Sequence, residues 1–370
     1  MILHIEITGG IGGIEIFLLN IYKNIDRAKI QFDFVTSSDF VPLKENFIAL
    51  GGTLYKIASP VNIIRYWRDL RKLIETNQYE IVHIHKNSAA NILPFIICKL
   101  AGVKVIVSHA HNTASTKGPF FNALHKINQK ILLQLQTNAF ACSTLAAQWL
   151  YGNLYTAKNN VSILKNGVEV KKFIFNEIIR NEMRASLKLE NSFVIGHVGR
   201  FTKQKNHIFL IDIFTELIKH KSNAVLLLCG LGELEGQIKE KVLKLGLDKR
   251  VFFLGERKDV NNIMQAMDVF VFPSLHEGLP LVGIEAQAAG LPIFMADTIS
   301  SEVKISNLVT FLSLNDTVKI WAEKIIEKSE LIKRANMATN IGEQGYDIEK
   351  TAKYLENFYM KSNLTRKNNA

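Results

Sequence analysis

The stretch VFVFPSLHEGLPLVGIEAQAA, residues 269–289, sets the terms of the fold. Four β-forming residues, Val269–Phe272, lead into a loop punctuated by Pro273, Gly278 and Pro280, and then into an apolar helical pattern, Val282–Ala289. A short apolar run without polar alternation reads as a strand buried on both faces, and a helix directly after it makes one βα unit of a parallel sheet. Such sheets bind ligands beyond the carboxyl ends of their strands. Glu277 and Glu285, one in the loop and one in the helix, are therefore placed for chemistry. Capping and solvated-helix roles remain open for them, although the company of Ile284, Ala286, Ala288 and Ala289 argues that an ionised Glu285 needs a partner.

The same unit repeats in both directions. Downstream strands are expected at Pro292–Met295 and Thr310–Leu312, and upstream ones at Phe193–Val198, Ala224–Cys229 and Val251–Leu254. Before them lies an earlier series: Ile2–Ile7, Phe32–Thr36, Thr53–Ile57, Ile81–Ile84, Val105–Ser108, Ala139–Cys142 and Val161–Leu164. Between strands the spacing turns helical, as in Ile63–Thr76, where Ile64, Trp67, Leu70, Leu73 and Ile74 share a face. Alternating strands and helices imply an α/β architecture of two doubly wound, Rossmann-like parallel-sheet domains. The expected bounds are 1–168, then 169–346, with a C-terminal helix and tail over 347–370 packing back on the first domain. The polar run Glu169–Asn191 is expected to carry the chain across.

Composition agrees with two domains. A chain of 370 residues suits two units of roughly 100–200 each, and 48% apolar residues supply two cores. Three scattered cysteines, Cys98, Cys142 and Cys229, favour a reducing compartment over a disulfide framework or a zinc site. No basic leader precedes the first strand, and the apolar stretch 91–98 is far shorter than the roughly 20 residues of a membrane span. The expected location is cytoplasmic, with peripheral attachment to the inner membrane face. The net charge of +11 is uneven: residues 1–168 hold 17 basic and 9 acidic side chains, and the rest hold 28 and 25. A basic first half points to anionic partners or simply to solubility. No nucleic-acid motif accompanies it, so nucleic acid is not an expected partner.

Two further loops follow strands. Gly9-Gly10-Ile11-Gly12-Gly13 opens a helix after the first strand, letting backbone approach an anion, or serving only as a tight turn. It is not the GxGxxG fingerprint of a nicotinamide site. Gly196–His207, GHVGRFTKQKNH, places Arg200 and Lys205 where they can neutralise a diphosphate, or lie solvated as a surface pair.

With seven residues between Glu277 and Glu285 in HEGLPLVGIEAQAAGLP, the chain closely resembles glycosyltransferase family 4, retaining enzymes of the GT-B fold. GGIGGIE, ILKNGVE (163–169), GHVGRFTKQKNH and FLGERKDV (253–260) resemble four further segments of that family in the same order. The resemblance implies two domains facing across a cleft and a nucleotide-sugar co-substrate. Arg200 and Lys205 then hold the donor diphosphate, and Glu285 the ribose. Gly278, Leu279, Leu281 and Val282 lie against the phosphate and sugar, Glu277 bonds the transferred sugar, and Arg257 flanks the base. Gly12 and Gly13 close on the diphosphate. A histidine after the strand Val105–Ser108 belongs near the reacting centre; His111 is chosen, with His109 as the alternative. The catalytic set is thus His111, Glu277, Arg200 and Lys205, with His83, His85, His109 and Asn112 on the acceptor side.

Four histidines near strand ends also raise a metal, but the acidic partners that orient metal-bound imidazoles are absent from this stretch. The chain contains no Asp-x-Asp, so the leaving diphosphate must be stabilised by cations and helix dipoles, and no metal or other cofactor is expected. The expected reaction moves a sugar, with retention, from a nucleotide donor (UDP favoured) to a saccharide or lipid-linked saccharide in surface polysaccharide synthesis. A sugar-nucleotide epimerase or hydrolase on the same architecture is the alternative. Lys117-Gly118-Pro119-Phe120-Phe121, basic and aromatic, makes an anionic membrane surface a further expected partner.

Overall fold

The structure, a computed structural model, describes the chain apart from Thr8, Ile11, 114–117, 158–159, Gly278, Lys333 and 365–370, and apart from the side chains of Leu154, Asn363 and Leu364. It divides into two compact units, Met1–Gly167 with Ile348–Ala370, and Val168–Asp347.

In the first unit β1 (Ile2–Ile7), β2 (Phe32–Thr36), β3 (Thr53–Lys56), β4 (Ile81–Lys86), β5 (Val105–Ala110), β6 (Asn138–Ala141) and β7 (Val161–Ile163) form one sheet. All pairings are parallel, in the order β3-β2-β1-β4-β5-β6-β7. The chain winds from β1 to one edge and returns to lay β4 on the other side of β1, so the winding reverses between β1 and β4. The second unit repeats this plan with β8 (Phe193–Val198), β9 (Ala224–Cys229), β10 (Val251–Gly255), β11 (Val269–Phe272), β12 (Ile293–Ala296) and β13 (Val309–Leu312). Its order, β10-β9-β8-β11-β12-β13, reverses between β8 and β11. In sheets of this kind the crevice for a ligand opens where the winding reverses.

Both faces of the first sheet are covered, which is why its central strands are rich in apolar residues on both sides. Leu3, Ile5, Val82, Ile84 and Ile106 join Leu70, Phe95 and Leu132 in one core. Their strand neighbours Ile2, Phe32, Phe34, Ile81 and Val107 face the other way, onto Phe17 and Tyr22 of the helix Gly13–Asn24 and onto Leu355 and Tyr359 of the helix Ile348–Leu364. Side chains that alternate along each strand thus build two separate cores.

Two expectations change. β4 and β5 do not stop at Ile84 and Ser108; they run on through His85 to Lys86 and through His109 to Ala110, pairing His85 with His109 and Lys86 with Ala110. Polar residues at alternate positions look like a strand end in sequence, but here imidazoles satisfy one another inside the sheet. The run Glu169–Asn191 is not a free connection either. It forms the helices Val170–Phe173 and Glu177–Leu187 of the second unit. Arg180 and Arg184 both bind Asp268, at 2.5 and 3.2 Å, and Asp268 also accepts the Val194 N–H at 2.7 Å. Charge that looked solvated is spent anchoring this segment beneath β8 and β11.

Candidate active site

The loops after β8 and β11 meet at the winding reversal of the second sheet. After β8 the chain passes Gly199 and an exposed Arg200, makes a single turn at Lys203–Lys205, and reaches Asn206. Asn206 sits in the left-handed region (φ 55°) at the start of the helix His207–Leu217. Its amide donates to the Pro273 carbonyl at 3.2 Å, the Leu275 N–H donates to the Gln204 carbonyl at 2.8 Å, and the Gln204 amide donates to the His276 carbonyl at 2.9 Å. These ties hold the two loops in register.

They bring Lys205 to Glu277, with Nζ 2.7 Å from Oε1 and both side chains largely out of solvent. The same ammonium lies 4.5 Å from the centre of the Phe272 ring. A carboxylate and an aromatic face therefore fix one cation at the end of β11. Arg200 is exposed and makes no side-chain hydrogen bond or ion pair among the described residues. Glycines pack the loops closely: a Cβ on Gly230 would lie 2.1 Å from the Gly199 carbonyl oxygen, and one on Gly232 2.5 Å from that of Phe201.

Glu285 lies in the helix Leu281–Ala288 and is only partly exposed. Desolvation raises its carboxyl pKa to about 7, and the negative charge of Glu169 adds to the effect. Leu279, Leu281 and Val282 are partly exposed around that helix start, whereas Gly278 lies outside the described residues. Arg257 does not stand free: Nε and Nη2 both bond Asp259, each at 2.8 Å.

Sequence reasoning passed over His197 and His207. His197 is fully buried, donates its Nδ1–H to the Val271 carbonyl (2.8 Å), and leaves Nε2 without a partner among the described residues. A Cβ on Gly199 would come within 3.1 Å of that Nε2. His207 packs edge-on against it, and burial followed by the nearby Lys205 charge lowers its pKa to about 4. Both rings are held neutral beneath the loop. The motif quoted contains them, but only the packing shows that they floor the site.

In the first unit the predicted histidines form a stack that also includes His4 of β1. His4 Nδ1 bonds His85 Nε2 at 3.0 Å, His85 Nδ1 bonds His111 Nε2 at 2.8 Å, and His83 bonds both Tyr359 Oη (2.6 Å) and His109 (3.2 Å). Burial lowers the pKa of every one, to about 3 for His4 and His111. His83, His85 and His109 are each fully buried, whereas His111 is partly exposed and Asn112 is exposed beyond it. Two groups of three, His4-His83-His85 and His85-His109-His111, each bring ring nitrogens within 4.8 Å of one another, close enough to share a cation. Gly12 caps the helix Gly13–Asn24, where the Glu15 carboxylate takes its N–H at 3.0 Å.

Against known proteins, residues 179–347 match the model of glycosyl transferases group 1, and residues 11–172 that of glycosyltransferase family 4. EpsF of Bacillus subtilis, named a glycosyltransferase, is 33% identical over 97% of this chain and 96% of its own. An Escherichia coli enzyme, UDP-Gal:alpha-D-GlcNAc-diphosphoundecaprenol alpha-1,3-galactosyltransferase, is 32% identical over 69% of this chain and 67% of its own. Among solved structures, Anabaena HepE in complex with UDP superposes with a TM-score of 0.73 at 18% identity, covering 97% of this chain and 99% of that one. A Rickettsia africae glycosyltransferase reaches 0.75 at 16% identity, covering 98% of both. With a near full-length relative, two family models in tandem and two sheets of the matching kind, the chain is a member of glycosyltransferase family 4 with the GT-B fold.

Proposed function

We propose that this glycosyltransferase moves a sugar from a UDP-linked donor, with retention at the anomeric carbon and without a metal, to a saccharide or lipid-linked saccharide during surface polysaccharide synthesis. The observation that carries the reading is the Lys205–Glu277 pair beside an uncommitted Arg200 at the winding reversal of the second sheet. Two cations at one strand edge supply the charge a departing diphosphate needs, in a chain that lacks Asp-x-Asp. Support for UDP and for a polysaccharide pathway comes from relatives: the E. coli enzyme is named for UDP-Gal, HepE was crystallised with UDP-glucose, and Staphylococcus aureus CapH, 25% identical over 98% of this chain, is named for capsular polysaccharide biosynthesis.

In this mechanism the bond from the anomeric carbon to the diphosphate oxygen breaks first, and its electron pair stays on that oxygen against Arg200 and Lys205. The acceptor hydroxyl forms the new bond on the same face and gives its proton to the departing phosphate oxygen. Glu277 receives hydrogen bonds from the transferred sugar, and Glu285 from the ribose. Leu279, Leu281 and Val282 supply the apolar wall, and Arg257 flanks the base. His111, neutral through burial, serves as a hydrogen-bond partner rather than a charge.

Membrane attachment belongs to the same proposal. The helix Pro119–Leu135 exposes Phe120, Leu124, Ile127 and Ile131 along one face, with Phe120 83% accessible and the exposed Lys126 and Lys130 beside them. An apolar stripe flanked by lysines suits an anionic lipid surface. No helix of the described residues is long and apolar enough to cross a membrane. Lys117 lies outside the described residues.

Thermal melting with UDP, GDP and ADP in EDTA tests the donor reading. Ligand at 100 times its Kd adds about 2.7 kcal/mol, and the expected shift is with UDP. No shift with any of the three overturns it, and a shift with GDP or ADP alone reassigns the base.

A further inference from the structure

The winding reversal of the first sheet carries a second lysine–glutamate pair, built from different parts. Glu6 in β1 and Lys86 at the end of β4 lie 2.5 Å apart, Nζ to Oε1. Lys86 is 4% exposed and Glu6 28%. Glu6 also has a φ of 77°, and the register of β1 on β2 shifts between Ile5 and Ile7. The other non-glycine residues with positive φ, Gln78, Lys188 and Asn206, all lie at helix ends; among the described residues Glu6 alone adopts this conformation within a strand. Strain of this kind persists where surrounding structure imposes it, and bulges re-aim side chains beside binding sites.

Glu6 and Lys86 line a cavity of about 430 Å³ within this unit, a size suited to a small ligand. Its lining includes Asn87, Ser88, Asn91, Tyr66 and Phe121. Carboxylate, ammonium, amides and hydroxyls around an aromatic wall are the complement of a pyranose, whose hydroxyl edges hydrogen-bond while its C–H faces pack on rings.

We infer that this cavity is a subsite for an uncharged pyranose of the acceptor, with Glu6 and Lys86 as its specificity-determining residues; the inference rests on the transferase reading above. Glu6 accepts hydrogen bonds from sugar hydroxyls, and Lys86 fixes the carboxylate and donates to a further oxygen. The two charges cancel, so the cavity favours a neutral sugar over a uronic acid. Removing the Glu6 charge leaves the enclosed Lys86 ammonium uncompensated and shifts preference toward an acidic sugar.

The full chain, with and without UDP, is titrated by saturation-transfer NMR against four probes: the methyl α-glycosides of glucose, galactose, N-acetylglucosamine and glucuronic acid. At least one neutral glycoside is expected to bind, and the glucuronide to bind more weakly. Glu6→Gln should weaken the neutral probe by about tenfold or more and improve the glucuronide, while UDP affinity stays at the wild-type level and reports an intact second unit. The double variant Glu6→Gln, Lys86→Met, which removes both charges together, should lose the neutral probe without gaining the glucuronide. Neutral-glycoside affinity unchanged in both variants, or no neutral glycoside bound by a protein that binds UDP, overturns the subsite and leaves the pair a structural tie. Glu6-dependent glycoside binding in a protein without UDP affinity upholds the subsite and counts against the donor reading instead.

Discussion

Replacing Glu285 by glutamine separates the stability of the second unit from its proposed donor affinity. Desolvation holds the Glu285 carboxyl at about 7 in the folded chain against an ordinary value of 4.5. The protonated acid is therefore the form the fold prefers. Its contribution to stability is fully present below pH 4.5 and is lost as pH rises through 7. At roughly 1.4 kcal/mol per pH unit, that interval amounts to about 3 kcal/mol. Glutamine does not ionise and does not suffer this loss. Relative to wild type, Glu285→Gln should gain about 2.5 kcal/mol between pH 5 and pH 8, read by urea unfolding of the ligand-free protein at both values. UDP affinity should move the opposite way. Losing a charged acceptor for ribose hydroxyls costs about 1.5–3 kcal/mol, at least a tenfold rise in Kd at pH 8. A stability difference that does not change between pH 5 and pH 8 would refute the desolvation argument, and unchanged UDP affinity would remove Glu285 from the donor site.

Three further outcomes follow from the geometry. Arg200→Ala and Glu277→Ala should each lower kcat by at least about tenfold, near 1.4 kcal/mol of barrier, with the anomeric configuration of the product retained; near-normal turnover in both would sink the assignment. Phe120→Asp with Ile127→Asp should abolish cosedimentation with anionic vesicles at low salt while leaving UDP affinity intact, and persistent binding would place the lipid contact elsewhere. The first unit should be acid-sensitive, because burial lowers the pKa of His4, His83, His85, His109 and His111. Neutral imidazoles stabilise it above pH 6.5, and that contribution falls with pH by about 1.4 kcal/mol per pH unit for each histidine that the unfolded chain protonates. Equal stability of this unit at pH 5 and pH 7 would contradict the buried neutral stack.

The central strands were legible because they are buried on both sides. Val269–Phe272 and Ala224–Cys229 carry no polar residue at all, and short apolar runs of this length between turn residues suit covered parallel strands. Glu277, Arg200 and Lys205 were legible because they follow those strands, and the family resemblance rests on the same loops. The histidines misled for the converse reason. A polar residue in a strand is placed at its end unless its partner is known, and His83 meets Tyr359 from 276 residues away. Whether Lys205 was a surface cation or one held by Glu277 was equally undecided, since 72 positions separate the two.

What the amino-acid sequence determined by itself is the alternation of buried strands and helices, the two series, and the loops at their carboxyl ends, because local periodicity and backbone preference act over a few residues. What only the tertiary structure decided is which charges are paired, which imidazoles are dry, and that Glu6 is bent out of its strand toward Lys86. Each of these depends on groups far apart in the chain, whose desolvation and pairing energies exist only once the sheet has brought them within a few ångströms.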